Sequence, residues 1–363
     1  MESILVPAVT LSLFGLFMQH FLQAKRQGLV PKRWSGRTPI ESVRYYAREF
    51  DAVGLLLLSA GLAFFLLPFN LYAQQAKGWG SAMVICFLVV GVLMLISFGL
   101  WEKFSAEKSF IPWELMKDRT VIGACILAFS LFFSTMCWNM FMSSILQVNN
   151  NLSVSNASYV MAISTVVGCV FAIGVGGYIS KSGLFKPVTL YVAMPLFILG
   201  HGLMIHFNKP SGNIGYIVMC QIFIAIGSGA MMITDQTAIL AAVKEQQYFA
   251  VAIALVSMCA NIGSAVGLTA SSAIWQDIMP KKLAEYLPRE DLQNLAMISM
   301  DIVTQLSYPV GSTTRLAIQR AYGEVQKYLF ITGTGGLAVG VLGIMMWSNT
   351  NIKNIKQTKG RVF

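Results

Sequence analysis

Asp235 is the only acid set well inside an apolar stretch of this sequence. A carboxyl in such a setting can take up and release a proton, and polar groups kept in apolar surroundings tend to be functional because they are expensive there. The plainer alternative is a helix-end cap shared with Gln236 and Thr237. Gln221 lies 14 residues earlier, close to four helical turns, so the two side chains are expected to share a polar stripe on one helix. His201 and His206 are five apart, which places them about 140° around a helix and rules out a two-ligand metal site on one face. His201 is a candidate for a proton path, with simple packing as the alternative. Trp138 and Asn139, with Gln147 further along, could line a cavity for a polar, ring-shaped ligand. Tyr216, Trp275 and Tyr308 fall near one interface, where aromatic belts account for most such residues.

Other chemistry is not indicated. The six cysteines form no CxxC pair and no Cys/His cluster, so they read as small apolar packing residues without a metal. There is no nucleotide-binding glycine loop, no nucleophile elbow and no HExxH, so no enzyme activity and no cofactor is expected.

The elements that must position these residues are long apolar helices. Nine stretches begin near Ile4, Ala52, Ser81, Val121, Ala157, Val188, Ile214, Phe249 and Tyr328. Each is about 20 residues or more, enough to cross a hydrocarbon core. The expected fold is an all-α polytopic membrane helix bundle of about nine transmembrane helices, because a helix satisfies its own backbone in lipid. The expected divisions are a first span over 1–23, a basic linker over 24–50 and seven spans over 51–276. An outer loop with short helices follows over 277–326, then a last span over 327–347 and a basic tail over 348–363. Pro288 with Glu290 and Asp291, and Ser312 with Thr313, are read as helix starts inside the outer loop.

Basic residues sort by side. Eighteen of the 26 Lys and Arg follow spans one, three, five and seven or lie in the tail, among them Lys32, Arg33, Arg37, Lys108, Lys244, Lys356, Lys359 and Arg361. Lys77, Lys209 and the loop 277–326 are on the other side. The positive-inside rule makes the C-terminus cytosolic. The net charge of +10 then needs no nucleic acid and favours anionic membrane lipid. Two sequons, at Asn151 and Asn156, fall in an outer loop and are candidate glycosylation sites. Small-xxx-small pairs at Gly263/Gly267 and Gly336/Gly340, and the run Gly174, Gly176, Gly177, are expected to bring helices close.

Blocks along the whole chain resemble the fungal siderophore-iron transporters of the major facilitator superfamily. They are SGRT at Ser35, FDAVGLLLL at Phe50, LPFNLY at Leu67, DRTVIGAC at Asp118, NIGYIVMCQIF at Asn213, AIW at Ala273, AYGEVQ at Ala321 and KQTKGRV at Lys356. The resemblance implies uptake of a siderophore-iron chelate, a ferric hydroxamate, by symport with protons, at the plasma membrane or an endosomal vesicle membrane. It also implies that the loop before the last span recognises substrate, which points to Tyr308, Arg315 and Tyr322 in the matching block. A chelate brings its own iron ligands. Members have fourteen spans. With nine, this chain is expected to be a truncated C-terminal part, whose partner would be a chain supplying the missing N-terminal half. A drug or thiol-conjugate:proton antiporter of the same superfamily is one alternative. A non-transporting fragment that binds a full-length relative is another.

Overall fold

The computed structural model describes residues 2–27, 38–49, 51–72, 75, 77–105, 115–207, 212–243 and 248–354. Lys32, Arg33, Arg37, Lys108, Lys209, Lys244, Lys356, Lys359 and Arg361, on which the charge sorting drew, lie outside them, as does the block at Lys356. The chain divides into two units, Met1–Ala52 and Val53–Phe363.

The first unit holds α1 (Glu2–Arg26) and α2 (Pro39–Glu49). The second holds all but the first residue of α3 (Ala52–Leu66), then the single turn α4 (Pro68–Leu71) and α5 (Ala82–Phe104). Six further crossings follow. They are α6 (Arg119–Asn139) continued by α7 (Met142–Asn149), then α8 (Val154–Ser182), then α9 (Lys186–Val188) joined to α10 (Met194–Phe207), then α11 (Ile214–Ala242) and α12 (Phe249–Tyr286). After the short helices α13 (Leu295–Met300) and α14 (Ile302–Ser307) comes α15 (Thr313–Met346). Among the described residues, eight helical segments are long and apolar enough to cross a membrane, and the first expected stretch is the 25-residue α1. Apolar side chains of α5 and α8, such as Val89, Ile96, Val166 and Ile173, face outward, as lipid contact requires. The protein is an integral membrane protein of helical type.

Local chemistry sets the helix ends. Asp118, Ser153, Asn213 and Ser312 each accept a hydrogen bond from a backbone N–H in the first turn that follows. The chain leaves α8 through Gly183, whose φ of 75° suits a helix C-cap. Between α9 and α10, Thr189–Ala193 is a π-helical turn. It stands just before Pro195, which has no N–H to give to the preceding turn.

The six crossings repeat a pattern. Helix α6 packs on α12 and α15, while α11 packs on α8 and α10; α6 meets α11, and α10 meets α15. Exchanging the first three crossings for the last three maps these contacts onto themselves, although α12 also packs on α15 while α8 and α10 make no contact of similar extent. Three crossings reverse the side on which a chain stands, so the two sets form an inverted repeat. Close approaches carry it. A Cβ on Gly229 would strike the backbone of Gly168, joining α11 to α8, and a Cβ on Gly263 would strike the carbonyl of Phe129, joining α12 to α6. Gly267, Gly336 and Gly340 also press on α6, whereas Gly174, Gly176 and Gly177 have nothing within 4 Å. Among the described residues, that last run has no helix against it.

Among the described residues, the segments before α6 and between α8 and α10, and the start of the tail, meet at one end of the bundle. Thr120 and Ser348 hydroxyls are 2.9 Å apart, the Ile352 N–H donates to the Gly183 carbonyl at 3.0 Å, and the Lys186 ammonium donates to the Trp347 carbonyl at 2.5 Å. At the other end the Asn150 amide donates to the Gly212 carbonyl at 3.1 Å.

Both ends of the stretch 277–326 belong to long helices. Helix α12 continues past Pro280 to Tyr286, its last turns carrying Asp277–Lys281 and Lys282–Glu285 ion pairs at 2.6 and 2.8 Å. It stops before Pro288, as a residue ahead of proline disfavours helix. The residues after Pro288 form turns, and helix resumes only at Leu292–Asn294 and α13. Helix α15 runs unbroken from Thr313 through the expected last span, and its polar first turns are covered by protein: Arg315, Gln319, Tyr322 and Gln326 are all buried.

Candidate functional site

A cavity of about 720 Å³ is walled by α6, α8 and α11. Trp138 and Asn139, expected at such a place, both line it. Thr135, Ser164, Ser228 and Gln236 supply further polar groups among apolar neighbours such as Leu131, Met161 and Met232. Ser158, Thr165 and Cys169 on its α8 wall are exposed, so the cavity is open on that side. A mostly apolar concavity with a few convergent polar groups is the form ligand sites take.

His201 stands behind this wall, on α10, fully buried. The Trp138 indole N–H donates to His201 Nε2 at 3.0 Å, so Nε2 is an acceptor and Nδ1 carries the proton toward the Phe197 carbonyl, 2.9 Å away. Ser134 Oγ lies 3.3 Å from Nε2. Trp138 also stacks on Phe330, with centroids 5.3 Å apart. His201 therefore fixes the indole at the cavity edge. His206 is exposed on another face, as the five-residue spacing requires.

Asp235 is buried on α11, and its Oδ1 has no hydrogen-bond partner among the described residues. Its electrostatic neighbours include the thiols of Cys259 on α12 and Cys125 on α6. Gln221 faces elsewhere: it accepts from the Ser164 hydroxyl of α8. The expected stripe on α11 is therefore divided between two helix contacts, α8 at Gln221 and α6 with α12 at Asp235. The adjacent Gln236, not Asp235, lines the cavity.

Gln147, Trp275, Tyr308, Arg315 and Tyr322 form a second group, none of them on the cavity wall. The Arg315 guanidinium is buried and donates to the carbonyls of Gln305 (2.5 Å), Val148 (3.1 Å) and Gln147 (3.4 Å), and to Asn151 Oδ1 (3.2 Å). Two of these carbonyls end α7, where a cation is favoured by the helix dipole. Gln319 donates to the Val148 carbonyl at 2.9 Å. The Tyr322 hydroxyl donates to Gln305 Oε1 at 2.5 Å, and Gln305 donates to the Ile298 carbonyl at 2.6 Å. Trp275 stacks on Phe141 at 3.9 Å and meets Tyr322 edge-on at 5.0 Å. Burial, and the nearby Asp291 carboxylate, push the Tyr308 hydroxyl above its usual range, while Asp291 also accepts from Thr314 at 2.5 Å. The Gln147 side chain turns back to Ser143 on its own helix.

Arg315 thus ties the start of α15 to α7 and α14. Replacing it with methionine is expected to destabilise the bundle by about 3 kcal/mol, through orphaned carbonyls and a lost helix-end cation. Lysine should not rescue, since a point charge cannot serve four acceptors in a planar fork. A melting temperature unchanged in detergent for Arg315→Met would refute this role.

Tyr216 is half exposed and stacks on Phe207 at 4.7 Å. Asn151 and Asn156 are both exposed. Asn151 has φ 53° and engages Arg315 through its side chain; the Asn156 N–H sits in the first turn of α8, bonded to Ser153.

Gln305, Gln319 and Gln326 were not singled out from the sequence. Arg315, Gln319, Tyr322 and Gln326 follow at i, i+4, i+7 and i+11, a one-face helical pattern. It was legible, but reading the segment as an outer loop hid its continuity with the last span.

Three comparisons bear on the chain. No family model matches it. It is 49% identical over 360 residues to MFS siderochrome iron transporter 1 of Ajellomyces capsulatus, covering 99% of this chain and 61% of that protein. It is 40% identical over 362 residues to siderophore iron transporter mirB of Emericella nidulans, covering 99% and 60%. Siderophore iron transporter 1 of Schizosaccharomyces pombe is 32% identical over 355 residues, covering 98% and 57%. The chain spans about 60% of the length of these curated relatives. Among solved structures, a bacterial homologue of the human lysosomal transporter Spinster aligns with a TM-score of 0.45 at 13% identity, covering 80% of this chain and 69% of that one.

Proposed function

We propose that this chain, which belongs to the fungal siderophore-iron transporter family of the major facilitator superfamily, serves uptake of ferric hydroxamate chelates by proton symport, as the C-terminal part of a longer transporter. The observation that carries this reading is the cavity on α6, α8 and α11: it is large enough for a chelate and open on its α8 side. Transporters built from repeats place substrate between them, so a second half-bundle on that side would complete the site. In this reading Trp138 and Asn139 contact the chelate, His201 orients Trp138, and Asp235 carries the coupled proton. Gln147, Gln221, Trp275, Tyr308, Arg315 and Tyr322 hold the cavity walls and the outer end rather than touching the chelate. Tyr216 is left as an interfacial aromatic. The basic loops and tail face the cytosol, at the plasma membrane or an endosomal vesicle, and Asn156 is the better placed glycan acceptor.

The test is uptake of a radio-iron ferric trihydroxamate by cells expressing this chain alone, or together with the N-terminal portion of a full-length relative. Co-expression is expected to give uptake that a protonophore collapses. Uptake equal to empty vector in both cells overturns the symport reading.

A further inference from the structure

We propose that α2 is an interfacial helix that lies on the acidic phospholipid surface of the membrane this chain spans, an inference that rests on the membrane reading above. The helix starts on its own terms. Thr38 N–H donates to Glu41 Oε2 at 2.9 Å, the Glu41 N–H donates to Thr38 Oγ1 at 3.4 Å, and Pro39 occupies the first helical position. It is 11 residues, roughly 17 Å at 1.5 Å each, too short to cross a hydrocarbon core. Ile40, Val43 and Ala47 recur at i, i+3 and i+7 with Tyr46 beside them, while Glu41, Ser42, Tyr45 and Glu49 fall on the other side.

That apolar side is exposed: Ile40 by 83%, Val43 by 70% and Tyr46 by 57%. A short helix with an uncovered apolar face and a charged opposite face is the form that settles at a headgroup boundary. Charge selects the surface. Residues 23–50 carry Lys25, Arg26, Lys32, Arg33, Arg37, Arg44 and Arg48 against Glu41 and Glu49. Arg44 and Arg48, one turn apart, border the apolar face, where basic side chains meet anionic headgroups.

The experiment places a benzophenone photolabel at position 43, 42 or 89 of the whole chain. The chain is held in nanodiscs of phosphatidylcholine with or without phosphatidylserine, and lipid adducts are read by mass spectrometry. The label at 43 is expected to capture lipid several-fold more than the label at 42. Its yield should rise with phosphatidylserine, and the combined Arg44→Glu and Arg48→Glu variant should lose that rise. Equal capture at 42 and 43, or protein adducts instead of lipid adducts from 43, overturns the proposal. A yield indifferent to phosphatidylserine overturns the acidic-surface part. Position 89 on α5 separates the two readings, since Val89 is 52% exposed on an apolar span. Lipid capture at 89 without capture at 43 sinks the α2 proposal alone, whereas failure at both sinks the membrane reading as well.

Discussion

Gly263→Leu is expected to leave little monodisperse protein, whereas Gly174→Leu should be tolerated. A Cβ at 263 would press on the Phe129 carbonyl of α6, and four residues on, a Cβ at 267 would meet the Phe133 carbonyl at 2.6 Å. Both obstacles are backbone, so no rotamer change relieves them; α12 must separate from α6 along its length. Overpacking of this kind costs about 3 kcal/mol, a large share of the roughly 5–15 kcal/mol that holds most folds together. In lipid the cost is felt more directly, since close packing rather than apolar burial drives helices together. At Gly174 nothing lies within 4 Å, and leucine there adds one more outward apolar side chain on α8. Fluorescence-detected size exclusion and a thermal melt of the two variants decide the matter. Equal behaviour of the pair would contradict the helix contact.

Asp235→Asn is expected to abolish the proton-driven part of chelate uptake while leaving the fold intact. Asparagine keeps the shape and cannot ionise. The carboxyl is enclosed, with Oδ1 unpartnered among the described residues and thiols for neighbours. Burying a charge there without a partner is costly, so its retention needs a reason other than stability. The variant should therefore melt at the same or a higher temperature than the parent. Uptake in the co-expressing cells, measured with and without a pH gradient, reads the coupling. Uptake that keeps its gradient dependence would remove Asp235 from the proton path and leave it a packing residue.

The two variants differ in how far they could be foreseen. Gly263 and Gly267 stand out in the sequence as a small-xxx-small pair, yet so do Gly174, Gly176 and Gly177, and only the first pair has a helix against it. Asp235 stands out because its isolation among apolar residues is a local fact. That it turns toward α6 and α12, while Gln221 on the same helix turns toward α8, depends on neighbours.

By itself the sequence determined the helical class and most of the crossings. Apolar length, proline, caps and charge are properties of consecutive residues, and in lipid they suffice to make a helix and set its ends. Only the tertiary structure decided that Arg315, Tyr322 and Gln326 belong to the last span, that Arg315 is enclosed by backbone carbonyls, and that Trp138 rather than Tyr308 borders the cavity. Those outcomes turn on which helix lies against which, and on a rotation of about 100° per residue. A polar side chain finds a ligand, a carbonyl or lipid according to that register, which is shared between segments far apart in the chain.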